Sequence, residues 1–292
     1  MRQYKAGRMQ NKTILGVHPA LRDDIGNLVT RRPLPGPRLP DLDPFLFLNH
    51  HGPQTYLPNN EGLPFGPHPH RGFETVTFIL QGSLAHHDSG GSSSVIEAGG
   101  VQWMTAGRGL VHAEISPDDF LRTGGPLEIL QLWVNLPARL KMVEPAYVGL
   151  SKSQIPVVEK DAARVSVISG VLNAVTGPIQ SRTDVFMSVA EFDKDGVLNL
   201  TGLSGRAMFL YVVRGDVQVQ ETLVQEAHLV RCSRSEDRLA LRARTPACVL
   251  LGHAEPIGEP IVARGPFVMN SVAEIDQAIA DYRAGLFGDA PL

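Results

Sequence analysis

The stretch Glu74-Thr-Val-Thr-Phe-Ile-Leu-Gln-Gly-Ser-Leu-Ala-His-His-Asp88, followed by Ser94-Val-Ile96 and Val101-Gln-Trp-Met104, decides the fold. Its opening run through Leu80 is β-branched, aromatic and aliphatic, the side chains that suit a pleated, packed surface, and Gly82 ends it. Further short strands are expected at Ser83 to His87, Ser94 to Ile96 and Val101 to Met104, with corners at Gly90-Gly91 and Gly99-Gly100. Short strands punctuated in this way predict an antiparallel barrel or sandwich. Ile129-Leu-Gln-Leu-Trp-Val-Asn135 closes the section as another strand, and 136–145 reads as a connector.

Upstream, Arg31-Arg-Pro-Leu-Pro-Gly-Pro-Arg-Leu-Pro40 is crowded with prolines and is expected to be extended or looped. Pro44-Phe-Leu-Phe-Leu48 reads as a strand running into a turn at Asn49-His-His-Gly-Pro53, and Leu57 to Pro67 as a segment wrapped around a site. Downstream, a second β-rich half begins near Val157. Its strands are expected at Arg164 to Ile168, Val185 to Phe192, Met208 to Val213, Val217 to Val219 and Cys248 to Leu251. Thr77-Phe-Ile-Leu-Gln-Gly-Ser-Leu84 and Leu210-Tyr-Val-Val-Arg-Gly-Asp-Val-Gln218 share a strand, glycine, strand pattern with Gly82 matching Gly215, a slender sign of duplication. Near the end, Ser271-Val-Ala-Glu274 has capping-box spacing. Ile275, Ala278, Ile279 and Tyr282 form one helical face before Gly285 and Gly288.

Composition narrows the classes. The 292 residues leave room for one large or two moderate domains, and 29 Gly with 22 Pro favour turns over long helices. A formal charge of -3 offers no bulk cationic field for a phosphate backbone, so no direct nucleic-acid binding is expected. Cys232 and Cys248 lack the close pairing of a redox or thiolate-metal motif and suit a reducing compartment. The basic N-terminal residues are not followed by a secretory apolar core, and no run reaches the roughly 20 apolar residues of a membrane span; a cytoplasmic, non-membrane protein is expected. Arg31, Arg32 and Arg38 read as a solvated basic loop, the arginines from Arg231 to Arg244 as an exposed face, and Ala106-Gly-Arg-Gly109 lacks a dinucleotide fingerprint.

Seven of the ten histidines lie between His50 and His112. In an extended segment His68 and His70 of Gly66-Pro-His-Pro-His70 project from one face, so two imidazoles converge on one ion. His112-Ala-Glu114 has the same spacing and can approach from an opposing strand. Three neutral nitrogens and one carboxylate suit a borderline divalent metal with coordination positions left open.

Phe47-Leu-Asn-His50, Pro67-His-Pro-His-Arg-Gly-Phe-Glu-Thr-Val-Thr77, Asp88-Ser-Gly-Gly91, Val101-Gln-Trp-Met-Thr-Ala-Gly-Arg-Gly109 and His112-Ala-Glu114 together resemble the pirin family of the cupin superfamily. Gly252-His-Ala-Glu-Pro-Ile-Gly-Glu-Pro260, Gly265-Pro-Phe-Val-Met-Asn270 and the terminal helix extend the likeness over nearly the whole chain. The resemblance implies an all-β bicupin: two jelly-roll β-barrel domains, 1–140 with the metal and 141–292 without it, the latter carrying a short C-terminal helix. It implies one divalent metal, Fe(II), on His68, His70, His112 and Glu114, and favours Glu114 over Glu74 as the carboxylate ligand. Glu74 is then left to orient a ligand or satisfy backbone groups near Gly72. His253 and Glu255 are expected to form hydrogen bonds rather than a second metal site.

Some pirin-like proteins resemble quercetin 2,3-dioxygenases, which implies an oxidoreductase that opens a flavonol or related aromatic with molecular oxygen. Glu114 would there serve as catalytic proton acceptor, and Phe45, Phe47 or Phe73 as a wall for the aromatic substrate. The alternative that the resemblance carries is an iron-containing, redox-responsive regulatory protein that binds transcription-related protein partners.

Overall fold

The structure, a computed structural model, describes residues 10–290. The basic N-terminal residues read above as non-secretory mostly lie outside the described range. No described helix is long and apolar enough to cross a membrane.

The chain forms two compact units: residues 10–19 with Pro156–Pro256, and Ala20–Ile155 with residues 257–290. Each end of the described chain joins the unit built mainly from the other half. Strand Ile14–Pro19 pairs antiparallel with His228–Cys232, and the terminal residues pack beside the HxH motif.

Both units have the same two-layer plan. The unit containing the histidines pairs a seven-stranded sheet with a four-stranded one. The larger runs in spatial order Ala146–Leu150, Val101–Thr105, Phe73–Gln81, Gly125–Asn135, Phe45–Tyr56, Thr30–Leu34, Leu21–Arg22. The smaller runs Phe65–His70, Leu110–Ile115, Ser83–Asp88, Ser93–Glu97. The second unit repeats seven plus four, with Ala207–Arg214 and Ala247–Ala254 central in its larger sheet. All the strand pairings named here are antiparallel. The fold is therefore the all-β bicupin.

The duplication is visible at Gly82 and Gly215. Their φ angles are 82° and 81°, and a Cβ on either would meet the carbonyl oxygen of Pro126 or Pro246, at 2.7 and 2.3 Å. Interiors separate the two units. The 133-residue offset between these glycines puts Met208, Leu210 and Val212 where the first unit has Thr75, Thr77 and Ile79. Those three residues belong to a continuous apolar core. One barrel is filled; the other keeps polar groups inside.

Two local expectations are corrected. Asn49–Pro53 continues the strand Phe45–Tyr56, because neighbouring strands on both sides supply its hydrogen bonds and bury Asn49, His50 and His51. A one-and-a-half-turn helix, Asp118–Thr123, interrupts the β pattern. The terminal helix is Val272–Arg283. Ser271 Oγ accepts the Glu274 amide at 3.3 Å, while Glu274 Oε2 accepts the Asn270 amide at 3.0 Å. Ile275 and Ala278 are buried, and Tyr282 is exposed.

Gly72 ties the terminal segment to the barrel. Its φ is 89°, and a Cβ there would stand 2.0 Å from the Val268 carbonyl oxygen. Gly72→Ala is expected to destabilise this unit by at least about 3 kcal/mol, combining backbone strain of about 1–3 kcal/mol with the clash. Urea unfolding checks this, and a change below about 1 kcal/mol would contradict the packing described.

Candidate metal centre

The HxH segment is an edge strand, which explains how it tolerates Pro67 and Pro69: a proline without an N–H is accommodated where one side of the strand has no neighbour. Two-residue periodicity puts His68 and His70 on one face. Leu110–Ile115 pairs with it so that His112 lies opposite His68 and Leu110 opposite His70. The ring centroids are 4.4 Å apart for His68 and His112, 4.9 Å for His70 and His112, and 4.8 Å for His68 and His70. One ligand atom from each lies within 4.8 Å of the others.

The hydrogen bonds set the rings for a cation. His68 Nδ1 donates to the Gly66 carbonyl at 2.7 Å and His70 Nδ1 to the Pro266 carbonyl at 3.3 Å. A carbonyl only accepts, so Nδ1 carries a proton in both rings, and Nε2 is the nitrogen that would offer a lone pair to a metal. His112 is 0% exposed, and neither ring nitrogen has a hydrogen-bond partner. Burial, followed by the neighbouring His70, His68 and His86, pushes its pKa well below the ordinary histidine value. Burial and then His68 push His70 down to about 3, against the raising effect of the Pro266 carbonyl. Two imidazoles held through Nδ1 beside a fully buried, unsatisfied ring fit a divalent metal.

Glu114 is placed differently. It is buried on the His112 strand, but the group of mutually close ligand atoms comprises the three histidines without it. A register irregularity between His112 and Glu114 pairs Glu114 with Phe65. Its Oε1 accepts Thr77 Oγ1–H at 2.7 Å, and its Oε2 accepts from the Gln131 amide. Glu74 is also buried and accepts Thr105 Oγ1–H at 2.6 Å. His253 accepts from Arg206 Nε at 2.7 Å and stacks on Phe186, with ring centroids 4.6 Å apart.

The sequence reading missed Thr77, Gln131, Trp133 and His86. Gln131 and Trp133 alternate with Leu130, Leu132 and Val134, so a polar side chain within an otherwise apolar strand was the available signal. Trp133 lies 4.5 Å from Phe73, 4.7 Å from Phe47 and 5.4 Å from His70 by ring centroids. Of the expected aromatic wall, Phe47 and Phe73 are in this stack, but Phe73, like Phe45, is a fully buried core residue. His86 donates through Nε2 to Asp88 at 2.9 Å and has its ring 5.4 Å from that of His112. A shallow, open groove runs along Pro64, Phe65, Gly66, Pro67 and His68.

Comparison with known proteins gives the family of the chain. The Pirin family matches residues 27–134 and the Pirin C-terminal cupin domain residues 189–288. Human pirin is 37% identical over 261 residues, covering 87% of this chain and 86% of its own length. The chain belongs to the pirin family. A crystal structure of quercetin 2,3-dioxygenase from Acinetobacter baumannii superposes on this pirin-family chain with a TM-score of 0.89 at 33% identity, covering 96% of this chain and 99% of the other. A bacterial pirin from Escherichia coli, solved in complex with nickel(II), shares the fold at 21% identity with a TM-score of 0.66, covering 82% of this chain and 99% of its own.

Proposed function

We propose that this pirin-family protein is a metal-dependent dioxygenase that opens a flavonol or related aromatic, with Fe(II) held by His68, His70 and His112 and with Glu114 as the carboxylate of the site. The observation that carries the metal reading is the unsatisfied, fully buried imidazole of His112 beside two histidines whose Nδ1 atoms are engaged by backbone carbonyls. The likeness to a structure described as quercetin 2,3-dioxygenase supports the choice of substrate and oxygen chemistry.

When bound, a divalent metal would polarise a substrate hydroxyl and place molecular oxygen beside it. The protein residues supply the rest. Phe47 and Trp133 offer an aromatic wall next to His70, with the fully buried Phe73 packed behind them. Glu114 accepts the substrate hydroxyl proton, while Thr77 and Gln131 hold its carboxylate in one orientation.

Oxygen uptake by iron-loaded protein with a panel of flavonols tests the proposal. Glu114→Gln is expected to slow uptake by about 10²–10⁴-fold, the contribution of a positioned proton acceptor, while the three histidines still bind metal. Unchanged uptake in this variant removes Glu114 from the chemistry. Stoichiometric iron without flavonol-dependent uptake in the parent would falsify the dioxygenase assignment and direct the search to redox-dependent protein partners.

A further inference from the structure

The turn after His70 is held by the terminal segment at several points. The Pro266 carbonyl accepts from His70 Nδ1, and the Arg71 carbonyl accepts the Val268 amide at 3.1 Å. Arg71 reaches Asp281 with Nη1 at 2.7 Å and covers the Phe287 ring at 4.6 Å. Lys141 lies behind this turn, 0% exposed, and its three ammonium donors are matched by three acceptors: Gly72 O at 2.9 Å, Val268 O at 3.0 Å and Asn135 Oδ1 at 2.7 Å. One cation thus bridges the residue two places beyond His70 and the residue two places beyond Pro266. A buried ammonium is costly unless every proton is accepted, and here the cost is offset by tying together two backbone segments that are otherwise joined by the single parallel bridge between Arg71 and Phe267.

We propose that Lys141 is a positioning residue for the metal centre: by pinning the Pro266–Met269 segment to the turn after His70, it keeps the Pro266 carbonyl on His70 Nδ1 and so directs His70 Nε2 to the metal. The metal affinity of one barrel then depends on a lysine that touches no ligand and on a strap from the chain terminus. The inference rests on the metal reading above. A hydrogen bond to the second nitrogen of a ligating histidine fixes tautomer and ring orientation, and its loss typically weakens metal binding by about 10–100-fold.

Cobalt(II) titration of the full-length protein, followed by its visible absorption, tests this with three proteins. The parent is expected to bind one Co(II). Lys141→Met is expected to keep its far-ultraviolet circular dichroism, bind Co(II) about 10–100-fold more weakly and show shifted d–d bands. Asp281→Asn, which removes a partly exposed partner of Arg71, is expected to shift the affinity in the same direction by a smaller factor, about twofold to fivefold. A folded Lys141→Met protein with the parent's Co(II) affinity and spectrum overturns the proposal, since a purely structural lysine would alter the melting temperature alone. If Lys141→Met does not fold, Asp281→Asn decides: weaker binding supports the strap, and parental binding overturns it. Failure of the parent to bind Co(II) overturns the metal reading itself, and is seen before any variant is compared.

Discussion

His112→Leu is expected to abolish specific metal binding while leaving the metal-free protein at least as stable as the parent. His112 is completely buried and both of its nitrogens lack partners, so the metal-free fold carries an unmet polar group costing about 1–3 kcal/mol. Leucine fills similar volume without that penalty. About 2–4 °C of melting temperature accompanies each kcal/mol in a domain of 150–250 residues, so the metal-free variant should melt at or a few degrees above the parent. Its metal affinity should fall by more than the roughly 10–100-fold associated with an outer hydrogen-bond partner, because a directly ligating nitrogen is gone. Anaerobic thermal melts with and without Fe(II) make the comparison. A metal-induced rise in melting temperature that survives the substitution, or a markedly lower metal-free melting point, would show that His112 has a structural partner instead.

Acid should destabilise the protein steeply below about pH 6.5. Burial holds His51, His70 and His253 down to about 3 in the folded chain, whereas an unfolded histidine titrates near 6.5. His51 is also lowered by His50 and Arg32, and His253 by Arg206. Between those values the unfolded chain carries protons that the folded chain refuses. Stability is therefore fully present above the unfolded value and is lost as the pH falls toward the folded one. Each group contributes about 1.4 kcal/mol per pH unit, about 4 kcal/mol per unit for the three together, and His112 acts in the same direction. Unfolding at pH 5 should take up about three protons from this set, measurable by urea unfolding across pH 5–7. His51→Phe should remove about one third of that slope; an unaltered slope would mean that His51 already titrates in the folded chain. Bound metal should steepen the loss further, since protons compete with it for His70 and His112.

Much of the β architecture was legible locally. The strand at Thr75–Leu80, the break at Gly82 and the helix opened by Ser271 follow from side-chain alternation, positive-φ glycine and capping chemistry, all acting within a few residues. The pairing of HxH with HxE was legible as well, because two-residue spacing fixes a common face whatever surrounds the strand. Asn49–Pro53 was misread because its polar, turn-forming composition is overridden by neighbours on both sides, whose identity depends on Thr30–Leu34 and Gly125–Asn135.

The sequence by itself determined most of the strands, which face His68 and His70 share, and that the second half has no equivalent HxH. Tertiary structure alone decided that Thr77 and Gln131 hold the Glu114 carboxylate, and that a carbonyl 196 residues away holds His70. It also brought Lys141 to Gly72 and Val268 across separations of 69 and 127 residues. The reason is physical: periodicity and backbone preference are properties of neighbouring residues, whereas a hydrogen bond to a distant carbonyl exists only after the sheets have packed and placed that oxygen within about 3 Å of its donor.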